Sequence, residues 1–139
     1  MDRGATEGHM DSMTLADSFG VCTPQGIEMV VSKLKERFQQ PIEIHCHEDF
    51  GLGVANTIAA VTAGAKHVQG TLNGYGERCG NANLLSIIAN LKIKMGINCV
   101  SDEQLVRITD ASRYVSEIVN IPPNNQQPYV KEKRNDYSI

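Results

Sequence analysis

Short apolar runs alternate along this chain with longer segments whose apolar residues recur at helical spacing. Residues 12 to 17, "SMTLAD", read as a strand. Thr23 then stands as an N-cap before Pro24, and Ile27, Val30, Val31, Leu34 and Phe38 share one stripe, so residues 24 to 39 read as an amphipathic helix. Beyond Pro41, "IEIHCH" (42 to 47) is a second strand. Its period of two turns Ile42, Ile44 and Cys46 to one face and Glu43, His45 and His47 to the other. "LGVANTIAAVTAG" is a small-residue helix closed by Gly64, "KHVQGT" (66 to 71) a third strand, and a glycine-rich loop leads into a helix over 81 to 95 that stops near Gly96. Ahead of all this, "MDRGATEGHMDSM" reads as the tail of a helix entering the first strand, with Gly8 and Asp11 marking the turn.

The order βαβαβα predicts a parallel sheet with right-handed crossovers, either a doubly wound open sheet or part of a (β/α)8 barrel. Asp17, His47 and Thr71 each fall at the C-terminal end of a strand, where barrels carry their chemistry, and this favours the barrel. A complete barrel takes roughly 200 residues or more, whereas only three βα units are legible, over residues 1 to 97. Their two unpaired edges predict association with another copy or another chain. From 98 to 121 a helical segment follows: Leu105, Ile108, Ser112, Val115 and Val119 form a stripe, and Ser101 and Gln104 are spaced as a capping box. "IPPNNQQP" breaks regular structure, and residues 122 to 139 read as a linker and loose polar tail.

Composition narrows the function classes. With 139 residues, 41% hydrophobic and 21% charged, the chain has the make-up of a single globular domain. Its net charge of -3 and pI near 5.8 offer no basic surface for nucleic acid, and no apolar run is long enough to span a membrane. The four cysteines, Cys22, Cys46, Cys79 and Cys99, are widely spaced and form no C-x-x-C pair, which argues against a disulfide framework and for a reducing, cytoplasmic setting.

His45 and His47, side by side on one strand face, can direct two imidazoles at one cation. The alternative is a pair of strand-end histidines satisfied by hydrogen bonds. The neighbouring strand end carries "VQGTLNGYGERCGNANL", in which Gly74, Gly76 and Gly80 surround Asn73, Glu77, Arg78 and Asn81. Turn chemistry alone asks for the glycines and not for the Glu-Arg pair.

Taken together, "LADSFGVCTP", "IHCHEDFGLGVANTIAAVTAGAKHVQGTLNGYGERCGNANL" and "SRYVSEIVN" with "QPYV" resemble the C-terminal part of the catalytic TIM barrel of the 2-isopropylmalate, homocitrate and citramalate synthase family, acyltransferases related to hydroxymethylglutaryl-CoA lyase. The resemblance runs from about residue 11 to Val130 and is strongest to citramalate synthase. It implies a Claisen-type condensation of acetyl-CoA with a 2-oxo acid, pyruvate being favoured, at a divalent metal ion (Mg, Mn or Zn). It implies His45, His47 and Asn81 as metal ligands. Thr71 and Ser18 become candidates to hydrogen-bond the oxo acid, Asn73, Gly74 and Tyr75 to approach the thioester, and Glu77 with Arg78 to organise the loop or relay a proton. Cys79 lies in a synthase-type loop and is a small loop residue rather than a nucleophile. The family's first-strand D-x-R-E motif, source of a fourth ligand and of an arginine, does not occur in this sequence, and Glu48 stands where the family commonly has asparagine. The expectation is therefore a piece of such an enzyme, inactive alone; the alternative is a non-catalytic product or interaction module that keeps the metal-site sequence.

Overall fold

The computed structural model describes residues 10 to 130. The expected helix tail before residue 10 and the polar tail after Val130 lie outside the described residues. The elements are β1 (Met13–Asp17), α1 (Pro24–Arg37), β2 (Ile42–Cys46), α2 (Gly53–Ala63), β3 (His67–Gln69), a 3-10 turn (Leu72–Gly74), α3 (Leu84–Ala89) running into a π-type turn (Asn90–Lys94), α4 (Asp102–Leu105) and α5 (Ile108–Ile118).

The strands form one parallel sheet in the order β1-β2-β3, with Leu15 opposite Ile44 and Ile44 opposite Val68. The expected alternation decides what each face does. Ile42, Ile44 and Cys46 are buried with Ile27 and Val31 of α1, Ala60 of α2 and Ile87 of α3, and this is the main core. On the opposite face Thr14, Glu43, His67 and Gln69 form a polar layer: the Glu43 carboxylate accepts from Ser12 Oγ (2.9 Å), Thr14 Oγ1 (2.8 Å), Gln69 Nε2 (2.8 Å) and His67 Nδ1 (3.0 Å). These hydrogen bonds, that of Thr14 first, pull the Glu43 carboxyl down to about 2. One face of the sheet is covered by helices and the other is polar, as in a sector of a barrel wall.

Helix ends follow their sequence signals. Thr23 Oγ1 accepts from Gly26 N at 3.2 Å with Pro24 in the first turn, Gly64 closes α2 at φ 104°, and the Ser101–Gln104 capping box is complete. Four expectations need correction. The third strand is only three residues long, because the chain leaves the ladder at Gly70. The helix expected from 81 begins at Leu84, capped by the Asn83 side chain (3.1 Å to Leu85 N). The single helix after Gly96 is broken at Val106 and Arg107 into α4 and α5. Nor is the start of the 122–139 segment loose: Gln127 and Val130 are buried, Val130 in a second small core with Leu85, Ala89 and Ile108.

Candidate functional site

Beyond Cys46 and Gln69 strands β2 and β3 part, and the returning glycine loop wedges residues 81 to 83 between them. Ala82 N donates to Cys46 O (2.9 Å), Thr71 N to Ala82 O (3.2 Å) and Glu48 N to Gly80 O (2.9 Å). His47 pairs with Asn81 across an antiparallel bridge, and Thr71 with Asn83 across a parallel one. Bridged residues turn their side chains to the same face, so Asn81 joins His45 and His47 while Ala82 goes into the core. The wedge also explains why β3 is short.

Glycine makes the wedge possible at two points. Gly80 sits at φ 97°, and a Cβ there would collide with the Gly74 carbonyl; a Cβ on Gly76 would run into the Asn81 amide. Gly74, at φ 72°, contributes through its backbone, its carbonyl accepting from Asn81 N at 3.1 Å.

His45 Nε2 and His47 Nε2 lie 3.3 Å apart, with the rings edge to face at 77°. Burial and then the neighbouring His47 lower the His45 pKa. Two imidazole nitrogens bound at 2.0–2.1 Å to one ion at tetrahedral or octahedral angles stand about 2.8 to 3.4 Å apart, so the pair has the spacing of two ligands. Asn81 Oδ1, His45 Nδ1 and Thr71 Oγ1 are buried and have no hydrogen-bond partner. Buried polar atoms are normally paired, so these orphans mark a place where something else binds. Among the described residues no group of three or more His, Cys, Asp or Glu side chains converges on a cation; the residues present fit a divalent ion through two imidazoles and an amide, short of a carboxylate.

Arg78, at φ 57°, ties together the loops after all three strands. Nε and Nη2 donate to the Asp49 carboxylate (2.7 and 3.2 Å), Nη2 also donates to Ser18 O, the guanidinium carbon lies 5.3 Å from the Phe19 ring centroid, and Nη2 is 3.0 Å from His47 Nδ1. Its hydrogen bond holds the Asp49 carboxyl below the usual range. Glu77 is 74% exposed and pairs with Arg78 Nη1 at 3.1 Å, so it is Arg78 that reaches the histidines. Ser18 enters through its carbonyl, its side chain being exposed.

Asn73 is used otherwise. Its Nδ2 donates to Ser112 O (2.8 Å) and Ser116 Oγ (3.1 Å), its Oδ1 accepts from Ser112 Oγ (2.6 Å) and Gln127 Nε2 (3.2 Å), and Tyr75 OH meets Ser116 Oγ at 3.0 Å. The pair clamps the glycine loop onto α5. Asp17, buried at β1's end, accepts from Val21 N, Cys22 N and Asn56 Nδ2 and shapes the β1–α1 turn. Cys46 faces the core, where burial pushes its thiol up to about 12. Glu48 leans on the amides of Gly53 and Val54 at the start of α2, with Oε2 unpartnered and its pKa raised by burial. The Asp49, Phe19 and Gly76 roles escaped the sequence reading; two acids directly after H-x-H were the one visible signal.

A parallel α/β barrel sector with two histidines and an amide at its strand ends is the class that fold and site define. The HMGL-like family model matches residues 5–115, and the chain belongs to that family. It is 42% identical over 128 residues to an (R)-citramalate synthase from Geobacter sulfurreducens, and 44% over 129 residues to one from Aquifex aeolicus; each match covers 92% of this chain and 24% of the relative. The chain thus spans about a quarter of the length of these curated relatives. Among solved structures, an HMG-CoA lyase in complex with coenzyme A and 3-methylmalate, named as from Acenitobacter baumannii, superposes with a TM-score of 0.71 at 24% identity over 94% of this chain and 44% of that one, which supports the partial-barrel fold.

Proposed function

We propose that this chain carries the metal-binding sector of an acyltransferase that condenses acetyl-CoA with a 2-oxo acid, pyruvate being favoured, to give a citramalate-type product. The observation that carries it is the 3.3 Å approach of the two Nε2 atoms beside the unpartnered Asn81 Oδ1. Membership of the HMGL-like family and similarity to (R)-citramalate synthases support the reaction class.

In this reading His45, His47 and Asn81 would hold a divalent ion, which when bound supplies Lewis-acid polarisation of the oxo-acid carbonyl. Thr71, whose buried hydroxyl lacks a partner, hydrogen-bonds the oxo acid at the adjoining strand end. Arg78 places a fixed positive charge over the same strand ends, with Glu77 and Asp49 as its counter-charges. Asn73 and Tyr75 keep the loop pinned to α5, so Gly74 presents backbone rather than side chain to the thioester. Three strands leave the site open on its polar side, and turnover requires the remaining barrel wall. The test is thiol release from acetyl-CoA with Mg or Mn, offered pyruvate, 2-oxoisovalerate, 2-oxoglutarate or oxaloacetate. This chain alone is expected to be inactive, and a chimera completing the barrel from a matched citramalate synthase to turn over pyruvate and to lose that on His47→Ala. A chimera that turns over unchanged with His47→Ala refutes the assignment.

A further inference from the structure

We infer, on the metal reading proposed above and as a deepening of it, that Ser112, Ser116 and Gln127 are positioning residues for the Asn81 amide. They hold the Asn73 side chain, Asn73 sets the Gly74 carbonyl, and that carbonyl sets the residue whose amide would face the cation. Support for the site thus comes from beyond the three βα units.

Apolar packing alone does not explain which residues α5 buries. Its buried positions are Ile108, Ser112 and Ser116, while Tyr114 and Ile118 of the same helix are 66% and 64% exposed. A buried hydroxyl costs free energy unless it is hydrogen-bonded, and here both hydroxyls meet one side chain. An amide offers two N–H groups and two oxygen lone pairs. Asn73 gives its N–H groups to Ser112 O and Ser116 Oγ and accepts from Ser112 Oγ and from the buried Gln127, so all four are used. Tyr75 OH adds a second tie to Ser116.

The saturated amide holds an uncommon stretch of backbone. Asn73 and Gly74 stand at φ 61° and 72°, and a residue other than glycine keeps the left-handed region only where its surroundings over-determine it. The turn aims the Gly74 carbonyl at Asn81 N, 3.1 Å away, and Gly80 packs against the same carbonyl with no room for a Cβ. On the other side Ala82 N is bonded to Cys46 O. Asn81 is therefore held between β2 and the Gly74 carbonyl. Strand β2 alone places the histidines, whereas the amide beside them also depends on a clamp drawn from α5 and Gln127.

Hydrogen exchange and a thermodynamic cycle test the clamp. In the metal-free chain the Asn81 N–H is expected to exchange about tenfold faster in Ser116→Ala and in Gln127→Met, the scale of one hydrogen bond lost, while the Ala82 N–H keeps its rate. Gln127→Met retains bulk and removes only the donor, so it carries the test should Ser116→Ala not fold. By calorimetry each variant should bind Mn about tenfold more weakly, and this loss should vanish in an Asn81→Ala background, where no amide is left to position. A general loss of stability would weaken binding equally in both backgrounds. Unchanged Asn81 exchange in the variants, or a Mn loss of the same size with and without the Asn81 side chain, overturns the inference. An unaltered chain that binds Mn no better than His45→Ala overturns the metal reading itself, and the positioning role with it.

Discussion

At the scale of single residues, the site depends on positions that carry no functional group. Gly76 leaves room for the Asn81 amide and nothing more. Gly76→Ala is therefore expected to displace that amide and to weaken Mn binding by about tenfold, the lower end of what loss of a supporting contact costs a metal site, while the urea midpoint moves little; equal affinities by calorimetry would deny Asn81 its ligand role. Asn73 makes the opposite prediction. With both ends of its amide committed to Ser112, Ser116 and Gln127, Asn73→Ala strands buried partners and should cost about 1–3 kcal/mol in denaturant unfolding, whatever its effect on substrate. A stability loss below that range would return Asn73 to the list of side chains free to meet ligand. The sequence made His45 and His47 legible because strand alternation is strict, and Asn81 legible only as part of a longer motif. The Arg78 tie was not legible: it joins residues 29 and 60 positions apart, and no local pattern encodes a contact at that range.

At the scale of elements, periodicity read the interior of each element and missed where neighbours cut it short. α1 and β2 match their expected spans to within two residues because their stripes and caps are local. β3 falls short at its C-terminal end and α3 starts three residues late, because residues 81 to 83 take over the hydrogen bonds there, a decision made by tertiary pairing. Glu43 shows the same dependence. Its place on the polar face was readable; its four donors, drawn from β1 and β3 and the residue before β1, were not. Since folding lowers this carboxyl to about 2 from an ordinary value of about 4.3, its contribution is present above the ordinary value and fades as pH falls towards 2. Urea midpoints measured between pH 5 and pH 2.5 should therefore drop more steeply in the unaltered chain than in Glu43→Gln. Parallel slopes would mean that the cluster does not hold the ionised carboxylate in solution.

At the scale of the molecule, the described residues form a wall rather than a closed barrel. β2 is paired on both sides, while β1 and β3 each have one edge without a strand partner among the described residues. The polar layer around Glu43 faces the side no helix covers, which is the right chemistry for a lumen and the wrong one for a dry core. Among the described residues no helix is long and apolar enough to cross a membrane. Open parallel edges present unpaired N–H and C=O groups to any chain that can extend the ladder, and Phe19 and Phe50, 67% and 69% exposed in the loops after β1 and β2, add apolar surface at the rim where the site lies. The same barrel-wall geometry that assembles the histidine pair thus leaves it without a roof, and the two properties should be separable. Sedimentation velocity over a range of concentrations is expected to show this chain self-associating, and the chimera with a completed barrel to lose the part of that association carried by the strand edges. A chain that stays monomeric at every concentration and still unfolds cooperatively would mean that three βα units with α5 and the segment to Val130 suffice as a folding unit, and that the open edges are protected in a way the paired strands do not reveal.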